Sequence, residues 1–153
     1  MTMKKQKLLV GVIGGHTCNK KIAKLAEEIG KEVAKLGGIL VCGGLGGVME
    51  AAAKGAKQNG GVTVGILPTE NKNDANQYID IPIATGLGNA RNTLVTTAAD
   101  IIVALEGEYG TLSEIAFASV LGKKVINLSN WDIPGTIKVD TIEQAVNQIK
   151  IVK

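Results

Sequence analysis

Short apolar runs and longer amphipathic runs alternate along this chain. The apolar runs are rich in valine and isoleucine and cover residues 7–13, 38–42, 62–67, 79–84, 100–105 and 124–128. Runs of this length and composition predict six buried strands. Between them, apolar positions at helical spacing predict helices, and the first two of these segments end in a Gly-Gly pair, a typical C-terminal stop. The helical segments are 20–38, 48–61, 90–98, 111–122 and 141–151.

Strands that alternate with helices of this length predict right-handed β-α-β units and an open parallel sheet covered on both faces. We therefore predict an α/β fold: a three-layer, Rossmann-like, doubly wound open parallel sheet of six to seven strands. One domain spans residues 1–153, because this length suits a single core. The segments 68–78 and 131–140 are predicted to be connections, and the first is long enough to cover a site.

The composition supports a compact α/β globule and narrows the range of partners. Hydrophobic residues make up 45% of the chain and aromatic residues 3%, so the core must consist of aliphatic side chains, as in parallel sheets. The net charge of +3 is small and the lysines are interspersed with glutamates, so no nucleic-acid-binding patch is predicted. The basic start is followed by an apolar run too short for a signal peptide or a membrane span. Cys18 and Cys42 lack the spacing of a zinc site and are expected to be reduced thiols of a cytoplasmic protein.

Three glycine-rich turns follow the first, second and fifth predicted strands. Ligands of such sheets bind beyond the carboxyl ends of the strands, where glycines let backbone N–H groups and a helix N-terminus approach a phosphate. A short connection also needs glycine for steric reasons, which explains each turn alone equally well. Three turns at one edge favour an anionic ligand, and the lack of a P-loop or dinucleotide fingerprint in its proper context disfavours an ATPase or an ordinary NAD enzyme. The glycines predicted to bind the ligand are Gly14, Gly15, Gly43, Gly44, Gly46, Gly47, Gly107 and Gly110.

Arg91 gives the sharper indication of a site. It lies in GLGNARNTL, where Gly86 and Gly88 precede a predicted helix and Asn89 is placed to cap it. A cation in the first turn of a helix is disfavoured by the helix dipole. We therefore expect Arg91 to pair with a fixed anion or a carboxylate. The simpler alternative is an exposed first-turn arginine.

Two glutamates and the histidine each have a structural explanation as well. Thr111 to Glu114 matches the capping box, in which both side chains cap a helix start, although a capping glutamate can also face a ligand. Glu50 has the same ambiguity, because first-turn acids are favourable in any helix. His16 is the sole histidine and is expected at a turn or a cleft rim, since one imidazole without partners makes neither a triad nor a metal site. No metal site is predicted.

The order and spacing of GGLGGVMEAA, GGVTVGILP, GNARN and GEYGTLSE resemble the Lonely Guy family of nucleoside 5'-monophosphate phosphoribohydrolases, often mislabelled lysine decarboxylases. They also resemble the related molybdenum cofactor carrier proteins of the SLOG superfamily. The resemblance covers roughly residues 8–128. It implies that Arg91 and Glu114 are catalytic and that Gly110 and Thr111 bind the 5'-phosphate. Asn92 stands where the hydrolases have a lysine, and we place it with the ligand-binding residues.

The turn after the fifth strand departs from the hydrolase pattern PGGxGTxxE. Glu106 replaces the proline and Glu108 replaces the second glycine. An extra carboxylate beside a phosphate weakens binding unless it points to solvent or meets a metal or another cation. The combination of GLGNARN with GTLSEIAFA looks more like the carrier branch than like plant-type hydrolases.

Two functions remain open at this stage. In the first, the protein hydrolyses the N-glycosidic bond of a nucleoside 5'-monophosphate to base and ribose 5-phosphate; Glu114 stabilises an oxocarbenium-like centre, and Arg91 orients Glu114. In the second, the protein is a non-catalytic carrier or sensor of molybdenum cofactor or another nucleotide-like ligand. Both need a phosphorylated small molecule and no further cofactor. A structural subunit without a ligand is a third reading, which three glycine turns at one edge disfavour. The resemblance also implies a homo-oligomer, either a dimer or a tetramer.

Overall fold

The computed structural model describes residues 4–153. Residues 1–3 of the basic start, on which the expectation of no signal peptide partly rests, lie outside this range. Within it, seven strands alternate with five helices, and two 3-10 turns lie in connections, at Lys72–Asp74 and Gly88–Arg91. The elements are β1 (Leu9–Ile13), α1 (Lys20–Lys35), β2 (Ile39–Cys42), α2 (Val48–Gln58), β3 (Val62–Leu67), β4 (Ile81–Ala84), α3 (Asn92–Ala98), β5 (Ile101–Ala104), α4 (Tyr109–Val120), β6 (Lys124–Asn127), β7 (Ile137–Lys138) and α5 (Ile142–Val152). No helix in the described range is both long enough and apolar enough to cross a bilayer.

All seven strands form one parallel sheet in the order β4-β3-β2-β1-β5-β6-β7. Val10 at the centre of the sheet is in register with Leu40 on one side and Ile101 on the other. The chain runs outward from β1 to β4 and then crosses to β5 on the opposite side of β1. This reversal of strand order between β1 and β5 opens a crevice at the carboxyl ends of these two strands.

Helices cover both faces of the sheet, because successive strand residues point to opposite sides. Val10 and Val12 pack with side chains of α1, α2 and α5, whereas Ile13 packs with side chains of α3 and α4. The three-layer, doubly wound, Rossmann-like α/β fold is thus confirmed, with seven strands in the sheet.

Two local expectations were wrong. Residues 131–140 were expected to be only a connection, but they contain β7, whose Ile137 pairs with Ile126 at the edge of the sheet. A strand of two residues is too short to produce a hydrophobic period. Asn89 caps no helix, because it lies inside the 3-10 turn Gly88–Arg91, which continues directly into α3.

Candidate functional site

A cleft of about 560 Å³ opens at the carboxyl edge of the sheet. Its walls come from the loops after β1, β2, β3 and β5 and from the starts of α3 and α4, so it lies at the reversal of strand order. The volume is within the range of small-molecule sites. A smaller cavity of about 190 Å³ adjoins it and shares Gly15, His16 and Glu108 with the cleft.

The structure brings most of the predicted site residues to this region. The cleft is lined by Gly14, Gly15, Arg91, Asn92, Gly110, Thr111 and Glu114, and Gly107 lines the adjoining cavity. His16 lines both spaces, as expected of a rim residue, whereas Glu50 lines neither. The second glycine turn, with Gly43, Gly44, Gly46 and Gly47, also lines neither.

The glycines of the second turn make room for the protein itself. A Cβ atom on Gly43 would lie 2.8 Å from the Arg91 guanidinium carbon, and one on Gly47 would lie 2.3 Å from the Gly15 carbonyl oxygen. The Val48 N–H at the start of α2 donates to that same Gly15 oxygen at 2.9 Å, so this helix amide is occupied. The turn therefore positions Arg91 and the loop after β1. That its glycines also contact a ligand remains a prediction.

Arg91 is a buried cation with unused donor capacity. Only 8% of it is exposed, which excludes the alternative of an exposed first-turn arginine. Its guanidinium donates to the Asn92 side-chain oxygen and, at 3.4 Å, to the Gly43 carbonyl, but its Nε has no partner among the described residues. Burial lowers the pKa of Arg91, and the nearby Glu114 partly offsets that effect. A guanidinium stays charged even so. The cleft thus contains a positive charge for which the neighbouring residues provide no paired carboxylate.

Glu114 lies in the second turn of α4 and is 7% exposed. Burial raises the pKa of Glu114 to about 8, although the charge of Arg91 acts to lower it. No ion pair within 4 Å joins these two residues, and the ion pairs in the described part of the chain lie elsewhere. The Glu114 carboxyl is therefore mostly protonated at neutral pH, and it leaves the charge of Arg91 unneutralised.

The capping box predicted for Thr111 and Glu114 was wrong. α4 begins at Tyr109, and the Glu108 carbonyl accepts the first helical hydrogen bond from the Leu112 N–H at 3.0 Å. Thr111 is therefore already inside the helix, and no side chain caps its start. The capping explanation of Thr111 and Glu114 is removed, and their position on the cleft wall is the one that remains.

The start of α4 offers free backbone donors to the cleft. The N–H groups of Tyr109, Gly110 and Thr111 precede the first helical hydrogen bond and have no backbone acceptor in the described chain. Such groups, together with the helix dipole, attract anions. The Asn92 amide donates to the Gly110 carbonyl and to Ser113 Oγ, each at 3.5 Å, and so connects the Arg91 segment to α4.

Sequence reasoning missed the apolar wall of the cleft and the role of the long loop. Leu45, Met49 and Pro68 line the cleft. Leu45 and Pro68 lie in the loops after β2 and β3 and Met49 lies in the first turn of α2, and these places at the carboxyl edge were the available signal. Of the loop 68–78, only Pro68 lines the cleft. Asn76 instead donates from its backbone to the Gly44 carbonyl at 2.9 Å and from its side chain to the Leu45 carbonyl at 2.8 Å. The loop therefore braces the second glycine turn.

The cysteines do not assemble into a metal centre in the described range. Within residues 4–153, no group of three or more His, Cys, Asp or Glu side chains is placed to hold a metal ion. Cys42 is fully buried beside the second glycine turn, and burial raises the pKa of its thiol to about 11. Cys18 lines the adjoining cavity, and burial raises its pKa as well.

The sheet order, the cleft at its reversal and the buried arginine with the carboxyl group on α4 define a Rossmann-like protein of the Lonely Guy and molybdenum cofactor carrier type. The model of the SLOG cluster4 family matches residues 7–152. The chain belongs to this family, and the resemblance noted in the sequence is confirmed.

Two relatives and two solved structures illustrate the similarity. An uncharacterized protein of Archaeoglobus fulgidus is 44% identical over 139 residues, which cover 90% of this chain and 91% of that protein. A probable cytokinin riboside 5'-monophosphate phosphoribohydrolase of Oryza sativa subsp. japonica is 32% identical over 115 residues, 70% of this chain but 51% of that protein. The molybdenum cofactor binding protein of Rippkaea orientalis superposes with a TM-score of 0.91 at 34% identity, over 97% of this chain and 99% of its own. The molybdenum cofactor carrier protein of Chlamydomonas reinhardtii gives a TM-score of 0.88 at 32% identity, over 96% and 98%.

Proposed function

We propose that this protein holds a phosphorylated, nucleotide-like ligand in the cleft and acts as a carrier of molybdenum cofactor without breaking a bond in it. The observation that carries the proposal is the buried Arg91, with its unpartnered Nε, in the same cleft as the free N–H groups at the start of α4. A guanidinium and a helix N-terminus together favour a phosphate. Two proteins that bind or carry molybdenum cofactor match this chain over nearly their whole length.

Each wall of the cleft has a role in this proposal. Arg91 and the backbone N–H groups of Gly110 and Thr111 bind the phosphate, and Asn92 fixes the guanidinium by accepting one of its hydrogen bonds. The protonated Glu114 donates a hydrogen bond to a ligand oxygen. The apolar wall of Leu45, Met49 and Pro68 packs against the ring system of the ligand.

The state of Glu114 favours a carrier over a hydrolase. Cleavage of an N-glycosidic bond needs an ionised carboxylate to stabilise the oxocarbenium-like centre. With its pKa raised to about 8 by burial, the Glu114 carboxyl is mostly neutral at neutral pH, and no ion pair with Arg91 orients it. Asn92 stands where hydrolases of the family have a lysine, so the positive charge that they carry next to the arginine is missing here.

Hydrolysis of a nucleoside 5'-monophosphate is the second candidate, because a probable phosphoribohydrolase is among the relatives. It makes an opposite prediction about pH. Release of free base would depend on ionised Glu114 and would therefore rise as the pH increases through about 8. The carrier releases no base at any pH.

The test combines binding with product analysis. Isothermal titration with molybdopterin and with AMP should give binding, and chromatography of the same mixtures should show no free base. Arg91→Met should weaken binding by at least about tenfold, because a charge-assisted hydrogen bond to phosphate is lost. Arg91→Lys keeps the charge but not the planar fork, so its affinity should lie between that of the wild-type protein and that of Arg91→Met.

Glu50→Gln is the control for the Arg91 variants and for Glu114→Gln. Glu50 lies at the start of the neighbouring helix and does not line the cleft. Base release that disappears in Glu114→Gln would replace the carrier with the hydrolase. Unchanged affinity in Arg91→Met would contradict both functions.

We also propose that the chain forms a homo-oligomer and resides in the cytoplasm, and that it binds no nucleic acid. The first of these is supported by α3 and α4, in which no exposed residue is charged and Leu94, Phe117 and Val120 are exposed. The other two rest on the sequence composition alone.

A further inference from the structure

Glu106 and Glu108 line the small cavity that adjoins the cleft. This cavity lies between the loop after β1 and the loop after β5, which are tied together by the Gly15 N–H donating to the Glu106 carbonyl at 2.9 Å. Neither carboxylate forms an ion pair with another described residue, and no lysine or arginine lines the cavity. The hydrogen bonds that these carboxylates need must therefore come from water or from a ligand.

The two spaces form one site with ends of opposite polarity. Glu108 belongs to both, so the acidic cavity continues directly into the cleft. Arg91 and Glu114, which are 8% and 7% exposed and line the cleft, independently indicate that the cleft takes a ligand. A molecule that occupies both spaces has its anionic group near Arg91 and its hydrogen-bond donors near Glu108.

We propose that Glu108, with Glu106 beside it, selects ligands that carry a 2-amino-4-oxopyrimidine ring edge, the edge shared by guanine and pterins. This edge presents a ring N–H and an exocyclic amino group side by side, and the two match the two oxygens of a carboxylate. Adenine presents no such adjacent pair of donors. The inference rests on the proposed function, because the phosphate must be bound at Arg91 for the ring to reach Glu108.

The proposal also explains why carboxylates are tolerated beside an anion-binding helix start. Glu108 immediately precedes α4, so its charge opposes a phosphate bound there. Hydrogen bonds from donors on the ring to Glu108 compensate for that repulsion. A ligand without these donors is repelled and forms no compensating hydrogen bond. Glu108 then acts against phosphorylated ligands of the wrong ring type.

GMP and IMP form a matched pair of probes, because IMP lacks only the 2-amino group. Isothermal titration in the presence of EDTA should show that the wild-type protein binds GMP about tenfold more tightly than IMP or AMP, as expected for a charge-assisted hydrogen bond. Glu108→Gln should bind GMP and IMP equally, and it should bind GMP more weakly than the wild-type protein does, because the charge-assisted hydrogen bond to the amino group is lost. Because Glu108 is exposed and makes no side-chain cap bond, this variant should unfold at the wild-type temperature.

Glu50→Gln should keep the preference for GMP. Equal binding of GMP and IMP by the wild-type protein, with binding still dependent on Arg91, would overturn the ring assignment and leave the phosphate site standing. Tighter binding of both nucleotides by Glu108→Gln would mean that Glu108 only repels phosphate. Binding that needs added Mg²⁺ would assign the carboxylates to a divalent cation instead. If no phosphorylated ligand binds, molybdopterin included, the proposed function fails first.

Discussion

At the scale of single residues, the environment of Glu114 decides what its carboxyl group can do. Burial raises its pKa from 4.5 to about 8, even with Arg91 acting in the opposite direction. Between these values the unfolded chain has released its proton while the folded protein keeps it, so the free energy of unfolding falls as pH rises. The segment Thr111 to Glu114 did not indicate this raised pKa, because its sequence also matches an ordinary capping box.

Glu114→Gln should remove this pH dependence. For the wild-type protein we expect the free energy of unfolding to fall between about pH 5 and about pH 8, by up to about 1.4 kcal/mol per pH unit. Glutamine does not ionise, so this part of the slope should vanish and the variant should be the more stable protein at about pH 8. Urea denaturation across this range measures both profiles. Glu50→Gln serves as the control and should keep the wild-type slope. Parallel profiles for wild type and Glu114→Gln would contradict the buried, protonated carboxyl.

At the scale of elements, the sequence located six of the seven described strands and the five described helices, but not how closely they pack. α1 and α2 touch through two glycines that a helix would normally avoid. A Cβ atom on Gly30 would lie 1.9 Å from the Ala52 carbonyl oxygen, and one on Gly55 would lie 1.9 Å from the Glu27 carbonyl oxygen. These reciprocal contacts bring α2 close against α1, and α2 carries the second glycine turn that packs on Arg91.

Gly30→Ala and Gly55→Ala should each destabilise the protein. Helix propensity alone would favour alanine by up to about 1 kcal/mol, but a Cβ at these distances forces the helices apart and should cost about 1–3 kcal/mol or more. Thermal or urea denaturation measures whether each variant is less or more stable than the wild-type protein. Lys24→Ala, at an exposed position of α1, is the control and should have little effect. An increase in stability for either glycine variant would show that the helices can separate freely.

At the scale of the whole molecule, the two helical layers have different outer surfaces. The outer surface of α1, α2 and α5 carries lysines and glutamates. The structure describes every residue of α3 and α4, and none of their exposed residues is charged. Leu94, Phe117 and Val120 are exposed there, Val120 by 84%. Exposed apolar side chains without charged neighbours often mark an interaction surface. We expect a second copy of the chain to cover this layer, as the resemblance implied.

Val120→Glu should dissociate the oligomer, because a glutamate buried between copies would have no partner. Size-exclusion chromatography with light scattering should find the wild-type protein as a dimer or tetramer and the variant as a monomer. Lys24→Glu, on the opposite layer, should leave the assembly unchanged. A monomeric wild-type protein would contradict the assignment of this surface.

The sequence by itself determined the fold class and the edge of the sheet at which the cleft opens. Both follow from local patterns, since hydrophobic periods define strands and helices and the order of elements places the glycine turns and Arg91 at one edge. Only the tertiary structure decided that Gly43 and Gly47 make room for the protein, that Arg91 keeps a free donor, and that Glu114 is protonated. The physical reason is that burial and pKa depend on neighbours far apart in the chain. The Arg91 guanidinium, for instance, lies against Gly43 and next to Glu114, and no local pattern encodes that environment.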